Sequence, residues 1–461
     1  MLNYLKKFSL SSLLVIILAI FTIINSSSGL DILAFLIIIF IILQKIFGEY
    51  FVLILLAIRP TIDYWRDYNL FSFNAFDFNI NSALSIFLLA WSVYFFIKNR
   101  SYFRAIPTKT IWLLFVAWCS LTAIYSYDLS STIRETIKAA NLFGLFGICY
   151  VMSIKDSAQF KTKFLQALLT ASAIPLATAV YQFFSKTGLN IDDIPNRIYG
   201  TFAHPNILAT FALLLLAVLV NEFFIGKNFS ALATLPKWTG LFLLATIALT
   251  YTRIAWIGVA VLLLIIGLIY YKKLLLYALA GIALFYILFY PLNNYLAINY
   301  NLNLQSIGLI SRLTARNEDS DSVKWRLDVA TKVLPLFEKR ILLGYGYGSF
   351  PKVWNDNKSV TNIWDNTSEA HNDYIKIGFE SGIIGLILFL GIFINLLYRQ
   401  ISFGVKNKWT NIVFIASIAV YLIMSLSDNM LHHTPMIWWL WAVWGIWASE
   451  YKTKNHPERV I

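Results

Sequence analysis

The sequence has little charge, and this shortage sets its broad class. Charged residues make up 13% of the 461 residues, whereas hydrophobic residues make up 59%. Soluble domains carry about 25% charged residues, so this composition excludes an ordinary soluble protein. The chain also lacks the alternating segments of about 10 residues that are typical of a membrane β-barrel. Apolar runs of about 17–25 residues recur instead, and this length crosses a bilayer as an α-helix.

Cysteine is scarce, and the sequence lacks a nucleic-acid-binding pattern. Cys119 and Cys149 fall inside apolar runs without metal-ligand spacing, so we expect both to be small core residues. The formal net charge is +13, but no basic patch on a soluble face alternates with stacking aromatic residues. Nucleic acid is therefore not an expected partner.

The sequence predicts an all-α, polytopic integral membrane bundle of about 12–14 transmembrane helices. Residues 1–461 form one membrane domain without a soluble domain or a clear internal repeat. No small-residue cleavage site follows the first apolar run, so we expect that helix to be retained. The short run at 49–60 either forms a re-entrant piece or extends through Tyr64 and Trp65. The predicted spans lie near 10–25, 30–47, 49–60, 82–97, 108–125, 136–153, 164–184, 205–225, 238–252, 254–271, 274–290, 372–397, 409–427 and 434–449.

Lysine and arginine are concentrated in alternate loops, which predicts the orientation. Basic residues precede the first span, follow the fourth, sixth, eighth, tenth and twelfth spans, and close the chain. The positive-inside rule then puts both termini in the cytoplasm. The longer loops near 60–81, 185–204 and 291–371 fall on the extracytoplasmic side. The largest, 291–371, is inserted before the third-last transmembrane helix, and we expect it to contain short helices.

One helix is predicted inside the large loop. Ser320 or Ser322 is suited to capping a helix that begins near Val323. The predicted apolar face, with Arg326 on its polar flank, consists of Val323, Leu327, Ala330 and Leu334.

Three short motifs resemble nucleotide or metal sites, but each is weak evidence for such a site. The glycine pattern at 344–348 resembles a dinucleotide site, but an external loop lacks the strand and helix such a site needs, so we interpret it as a tight turn. Asp319-Ser320-Asp321 resembles the acidic triplet of metal-dependent glycosyltransferases, although acidic residues also favour a helix start. His432 and His433 are adjacent in a short turn near Asp428, a poor spacing for a metal site.

Four further segments carry the main functional signal, and on the predicted topology they share the extracytoplasmic side. Together they resemble the bacterial O-antigen ligase and O-antigen polymerase superfamily, and the resemblance covers roughly residues 190–395. The segments are Asn196-Arg197-Ile198-Tyr199-Gly200-Thr201-Phe202-Ala203-His204-Pro205-Asn206, Thr250-Tyr251-Thr252-Arg253-Ile254-Ala255-Trp256-Ile257-Gly258, Trp325-Arg326 with the glycine turn, and Ala370-His371-Asn372-Asp373-Tyr374 with Glu380-Ser381-Gly382.

The resemblance implies a membrane glycosyltransferase that moves a glycan from an undecaprenyl-diphosphate carrier to an acceptor hydroxyl. It implies neither a metal nor another cofactor. The partners are then the lipid-linked donor, a glycan or glycolipid acceptor, and membrane lipids. The catalytic roles fall on Arg253 and Arg326, which engage the diphosphate, and on His371, which acts near the acceptor. We expect substrate-binding roles for Arg197, His204, Asn372 and Tyr374.

The chemistry of these residue types agrees with the implied reaction. Guanidinium groups stay protonated and bind phosphate oxygens bidentately, so they stabilise charge on a leaving diphosphate. Histidine is the commonest general base and can activate a sugar hydroxyl. Structural roles stay open, because Arg253 at a span end can snorkel to the interface and His371 can cap a helix.

Other functions also stay open at the sequence level. A repeat-unit polymerase and a protein O-oligosaccharyltransferase share the same motifs. A lipid-linked glycan transporter would use arginines along a path, but the inverted repeats and interrupted helices typical of transporters are not evident. A metal-dependent transferase would need converging acidic ligands, for which Asp319, Asp321, Glu369 and Asp373 are the candidates.

Overall fold

The computed structural model describes residues 29–73, 76–191, 194–222, 238–269, short pieces between 271 and 298, 322–357, 369–407, 409 and 411–455. This part of the chain is a helical bundle with two small β-hairpins. Its helices are α1 (Gly29–Phe47), α2 (Phe51–Ile62), α3 (Ile80–Lys98), α4 (Arg100–Phe103), α5 (Lys109–Leu121), α6 (Leu129–Lys155), α7 (Ser157–Ser185), α8 (Pro205–Val220), α9 (Thr239–Leu249), α10 (Arg253–Ile269), α11 (Ser322–Glu338), α12 (Phe350–Asp356), α13 (Asp373–Lys406), α14 (Ile412–Met424) and α15 (Thr434–Asn455).

The prediction of an all-α membrane bundle is confirmed. Five helical segments in the described residues are long and apolar enough to cross a membrane, and five shorter apolar helices accompany them. The predicted first span, 10–25, lies outside the described residues, and 274–290 is described only in pieces. The five long segments are Phe35–Trp65, Ile80–Lys98, Leu129–Lys155, Ser157–Ser185 and Asp373–Lys406.

The loops predicted near 60–81 and 185–204 contain secondary structure. A 3₁₀ turn at Asp63–Trp65 follows α2 directly, so the short apolar run does extend through Tyr64 and Trp65. Antiparallel hairpins then follow, formed by β1 (Asn69–Phe73) with β2 (Phe76–Asn79) and by β3 (Leu189–Ile191) with β4 (Ile194–Arg197). In the first hairpin, phenylalanine alternates with polar residues, the period of a strand and not of a helix.

The core of the bundle is formed where α6 packs along α15. A Cβ on Gly445 would lie 2.3 Å from the Phe146 carbonyl oxygen, so glycine lets the two backbones approach closely. Edge-to-face contacts join Trp441 to Trp112 and Trp444, each with ring centroids 4.8 Å apart. Cys119 and Cys149 are fully buried, as predicted.

Helix α13 is broken near its start, and the glycine turn fills the break. Gly382 has φ 68° and ψ −177°, which interrupts the helical backbone. The carbonyls of Phe379 and Glu380 accept from the amides of Tyr345 and Gly346, and the amide of Ile383 donates to Ile341. The freed backbone groups are thereby paired, as apolar surroundings require.

The glycines of that turn act as the sequence predicts. Gly344, Gly346 and Gly348 all have positive φ. Added Cβ atoms would lie 2.3–2.7 Å from atoms of Glu380, Ser126 and Glu135. The turn therefore packs tightly against both α6 and α13.

The predicted apolar face of α11 is wrong, although its start at Ser322 agrees with the prediction. Val329, Val333 and Leu336 are buried, while Leu327 and Leu334 are 62% and 53% exposed. The buried residues pack with Phe350, Trp354, Ala370 and Phe379 in a small second core. Helix α11 is apolar on more than one side, and contact with the second core buries a stripe next to the predicted one.

Candidate functional site

His371 stands immediately before α13, where the backbone leaves the usual helical region. Its φ is 47°, in the left-handed region that is uncommon for a residue with a side chain. The next residue, Asn372, caps α13 because its side-chain oxygen accepts from the amides of Tyr374 and Ile375 at 2.9 and 3.0 Å. The imidazole is thus held at a defined helix start, with 29% of its side chain exposed.

Asp428, in the turn between α14 and α15, faces the ring of His371. The Nδ1 of His371 lies 3.9 Å from Oδ1 of Asp428. The other carboxylate oxygen receives the Asn206 amide at 2.9 Å and lies 3.6 Å from Nε2 of His433. Burial acts to raise the pKa of Asp428, but His433, His371 and Asn206 together hold it well below its usual range. Asp428 is therefore a buried carboxylate beside two imidazoles.

Asn206 joins this carboxylate to the arginine-bearing segments. Its side-chain oxygen accepts from the hydroxyl of Thr252 at 3.2 Å and lies 3.4 Å from Nη2 of Arg197. Arg197 is buried and donates through Nε to the Thr250 carbonyl at 2.9 Å. The side-chain amide of Asn206 thereby connects the segments that carry Arg197, Thr252 and Asp428, which are distant in the sequence.

Arg253 and His204 flank this junction. Arg253 is the first residue of α10 and directly follows Thr252. His204 caps α8, with its Nδ1 accepting from the Asn206 amide at 3.2 Å. Both side chains are half-buried at the same end of the bundle as His371.

Arg326 and Tyr374 lie at other parts of this end. Arg326 is half-buried on α11, whose buried face packs with Ala370, the neighbour of His371. The Tyr374 hydroxyl donates to the Leu422 carbonyl at 2.6 Å. Tyr374 and Asn372 therefore both make structural contacts, and their substrate-binding roles stay predictions.

A second charged group lies on the other side of the same turn. The Nζ of Lys376 lies 2.7 Å from Nε2 of His432, 3.6 Å from Oε2 of Glu369 and 3.5 Å from Oε1 of Glu380. The Nδ1 of His432 lies 3.3 Å from Oε1 of Glu369. Burial, followed by the positive charge of Lys376, lowers the pKa of His432, and burial raises the pKa of Glu369.

Sequence reasoning missed several residues of this end. It weighed His432 and His433 only as metal ligands, and it gave no role to Asp428 or Lys376. It also passed over Arg59, which is buried and paired with Asp63 at 3.2 Å. The amide of Ala203 donates to Asp63 at 3.1 Å, which ties this ion pair to the segment before His204. An arginine inside an apolar run is a signal that could have identified Arg59.

Three of the six non-glycine residues with positive φ in the described part of the chain lie in the segments of the predicted site residues. Asn196, Tyr251 and His371 have φ of 56°, 54° and 47°. Each of these residues precedes or belongs to one of the segments that carry Arg197, Arg253 and His371. Non-glycine residues in this region cluster at functional sites, where surrounding contacts hold them.

Within the described ranges, no three His, Cys, Asp or Glu side chains are arranged to hold a metal ion. Asp319 and Asp321 lie outside the described residues. The site that the structure does describe is a histidine-and-carboxylate centre bordered by arginine-bearing segments.

Residues 238–390 match a protein-family model described as O-antigen ligase. This range contains Arg253, Arg326 and His371, and it ends within α13. The match confirms the resemblance seen in the sequence. No curated protein matches the chain.

Proposed function

We propose that this chain, whose residues 238–390 match the O-antigen ligase family, transfers a glycan from an undecaprenyl-diphosphate-linked donor to an acceptor hydroxyl. The family supports a membrane glycosyltransferase of the ligase and polymerase type. The donor, the ligase outcome and the roles of individual residues are the proposal.

The observation that carries the proposal is the facing pair His371 and Asp428. A carboxylate beside an imidazole orients the ring and stabilises the cation that forms when the ring takes up a proton. The gap of 3.9 Å between Nδ1 and Oδ1 is longer than a hydrogen bond, and catalytic hydrogen bonds often tighten only when substrate binds. Asn206 links this pair to Thr252, whose neighbour is Arg253.

The proposed reaction is a single displacement at the anomeric carbon. His371 takes the proton of the acceptor hydroxyl through Nε2, and the acceptor oxygen forms the new glycosidic bond. The bond from the anomeric carbon to the diphosphate breaks, and its electron pair leaves with the diphosphate oxygen. Arg253 and Arg326 stabilise that charge, which is greatest in the transition state and product. No metal or other cofactor takes part in the proposed steps.

Arg197 is assigned a supporting role. It is 3% exposed and its Nε donates to a backbone carbonyl, so it is suited to holding the Thr250–Arg253 turn. We propose that His204 and Tyr374 border the substrate and that Asn372 orients His371. Membrane lipids surround the bundle, and the acceptor is a glycan or a glycolipid.

The proposed setting is the bacterial inner membrane. The site lies on the extracytoplasmic side, with both termini in the cytoplasm, as the loop charges predict. The 291–371 segment then forms a large extracytoplasmic loop within a single membrane domain. A lipid-linked donor accounts for a reaction centre at the end of a membrane bundle.

The test is glycan transfer in proteoliposomes that contain a lipid-linked donor and an acceptor. His371→Ala should abolish transfer, because a general base contributes about 10²–10⁴-fold, while insertion and yield stay normal. His456→Ala is the matched control and should keep full activity, because His456 lies in the C-terminal segment predicted to be cytoplasmic, on the opposite side from the proposed site. Near-wild-type turnover by His371→Ala would contradict the proposal.

A further inference from the structure

We infer that Asn429 is a positioning residue that holds His371 for catalysis, because its side chain clamps the Glu369 carboxylate before His371 to the Asn372 backbone amide after it. The Nδ2 of Asn429 donates to Oε2 of Glu369 at 2.8 Å. The Oδ1 of the same amide accepts from the backbone amide of Asn372 at 3.0 Å. One planar side chain therefore joins the residue two positions before His371 to the residue just after it. This inference rests on the proposed function of His371.

The clamp answers a specific conformational need. His371 has φ 47°, and a histidine keeps that backbone only where its surroundings determine it. Asn429 is itself 3% exposed, so water does not compete freely for its amide. Its two hydrogen bonds fix the 369–372 turn on either side of His371.

The adjacent residue of the same turn completes the arrangement. Asn429 directly follows Asp428, whose carboxylate faces the His371 ring. The backbone amide of Asn429 also donates to Oδ1 of Asp428 at 2.8 Å. One short turn thus sets the backbone of His371 through Asn429 and its ring through Asp428.

The negative charge of Glu369 makes the clamp testable by a change of charge at position 429. Glu369 is 29% exposed and receives Nδ2 of Asn429, a neutral donor. Replacing that donor by a carboxylate would place two carboxylates at hydrogen-bond distance, where they repel unless they share a proton. The charged and titratable groups that face Glu369 are Lys376 on α13, Glu135 and Lys138 on α6, His371, and His432 in the turn.

The direct test is Asn429→Asp, which keeps the acceptor for Asn372 and loses the donor to Glu369. At neutral pH its kcat should fall about 10- to 100-fold, because small misplacements of a catalytic group cost this much, while KM changes little. The ratio of variant to wild-type kcat should rise as the pH falls toward about 5.5, because a proton shared by the introduced carboxylate and Glu369 restores the contact.

A double variant makes the test independent of acid. Glu369→Gln with Asn429→Asp exchanges the amide and the carboxylate, so the introduced amide can donate to the introduced carboxylate. It should recover most of the lost kcat at neutral pH, which is a coupling that a double-mutant cycle measures. Asn407→Asp is the matched control, because the Asn407 side-chain amide donates to the Phe403 carbonyl at the far end of α13, and it should keep full activity.

The position of the ring is also measured without catalysis. Carbethoxylation of His371, followed by mass spectrometry, should be several-fold faster in Asn429→Asp than in wild type and should return toward the wild-type rate in the double variant. Unchanged labelling, or a loss of kcat that neither acid nor Glu369→Gln relieves, would overturn the clamp. Full turnover by His371→Ala would overturn the proposed function instead, and the labelling rates would still decide on Asn429.

Discussion

Ion pairs lie at both ends of the bundle, and among the described residues the two ends differ in how deeply they bury them. At the end of α6 that carries Lys155, Glu49 pairs with Lys155 at 2.7 Å and with Lys98 at 3.3 Å, and the Lys98 side chain is 56% exposed. At the end that carries His371, the side chains of Lys376 and Glu380 are 4% and 0% exposed. Partly exposed pairs contribute little to stability, whereas buried charge is costly and is retained where it is used. The contrast supports the proposal that the reaction takes place at the end that carries His371.

The largest expected effect tests that contrast in stability. Lys376→Met leaves Glu369 and Glu380 without their cation, so it should cost about 3–5 kcal/mol, as breaking a buried pair does. Lys155→Met at the opposite end should cost at most about 1 kcal/mol. Thermal unfolding in one detergent measures both. Similar losses would remove the difference between the two ends.

The next largest effect concerns the two arginines assigned to the diphosphate, Arg253 and Arg326, at the end of the bundle that carries His371. Arg253→Ala should lower kcat about 10²- to 10³-fold, as the loss of one charge-stabilising donor does. Arg253→Lys should be impaired less, because it keeps the charge but loses the fork. The same order is expected at Arg326.

Arg399→Ala is the control for these variants, because Arg399 is exposed and its Nε donates to Asn395 within the same helix. Glycan-transfer assays at saturating donor measure kcat for each of these variants and for the control. Full activity in all four variants at Arg253 and Arg326 would move the diphosphate site elsewhere, toward Arg197.

A smaller effect concerns acid sensitivity, which the buried histidines predict. Burial lowers the pKa of His432 and of His433 in the folded protein. The unfolded chain binds protons at these histidines below about pH 6.5 while the folded one does not, so stability should fall as the pH drops below that value. The melting temperature should decline between about pH 7 and pH 5.

His432→Gln should reduce the slope of that decline, since a glutamine can accept from Lys376 and donate to Glu369 without titrating. The carboxylate of Asp428 also loses its contribution in acid, because its pKa is lowered in the folded protein, but that loss begins only below about pH 4, outside this window. An unchanged slope in His432→Gln would assign the acid sensitivity to other groups.

The smallest expected effect concerns metal removal, which should not change the rate of glycan transfer. Excess EDTA should leave transfer unchanged, because Arg253 and Arg326 offset the phosphate charge in the proposed mechanism. Asp319→Asn with Asp321→Asn should cost only about 0.3–1 kcal/mol for each residue, if they favour a helix start. Activity that is lost with chelator and returns with magnesium or manganese would shift the chemistry toward these aspartates and Asp373.

Local signals explain what the sequence could predict. Long apolar runs predicted the bundle, and the order of the arginine and histidine segments predicted the family. The glycine turn and the start of α11 followed from the chemistry of single residues. Three-dimensional proximity was outside the reach of these signals: Asp428 and Asn429 are far from His371 in the chain, and only folding brings the 425–433 turn beside it. The buried face of α11 also depended on which neighbour it meets.

The break in α13 limits which parts of this protein can be exchanged with a relative. A Cβ on Gly382 would lie 2.0 Å from the Leu342 carbonyl oxygen, and the backbone groups released there are paired with residues 341–346. The glycine turn and the first turns of α13 therefore depend on each other, through close packing and shared backbone hydrogen bonds. A chimaera that replaces the large loop alone would leave unpaired peptide groups in the helix that carries the histidine. Grafts of this region should therefore carry residues 341–350 and 371–383 together.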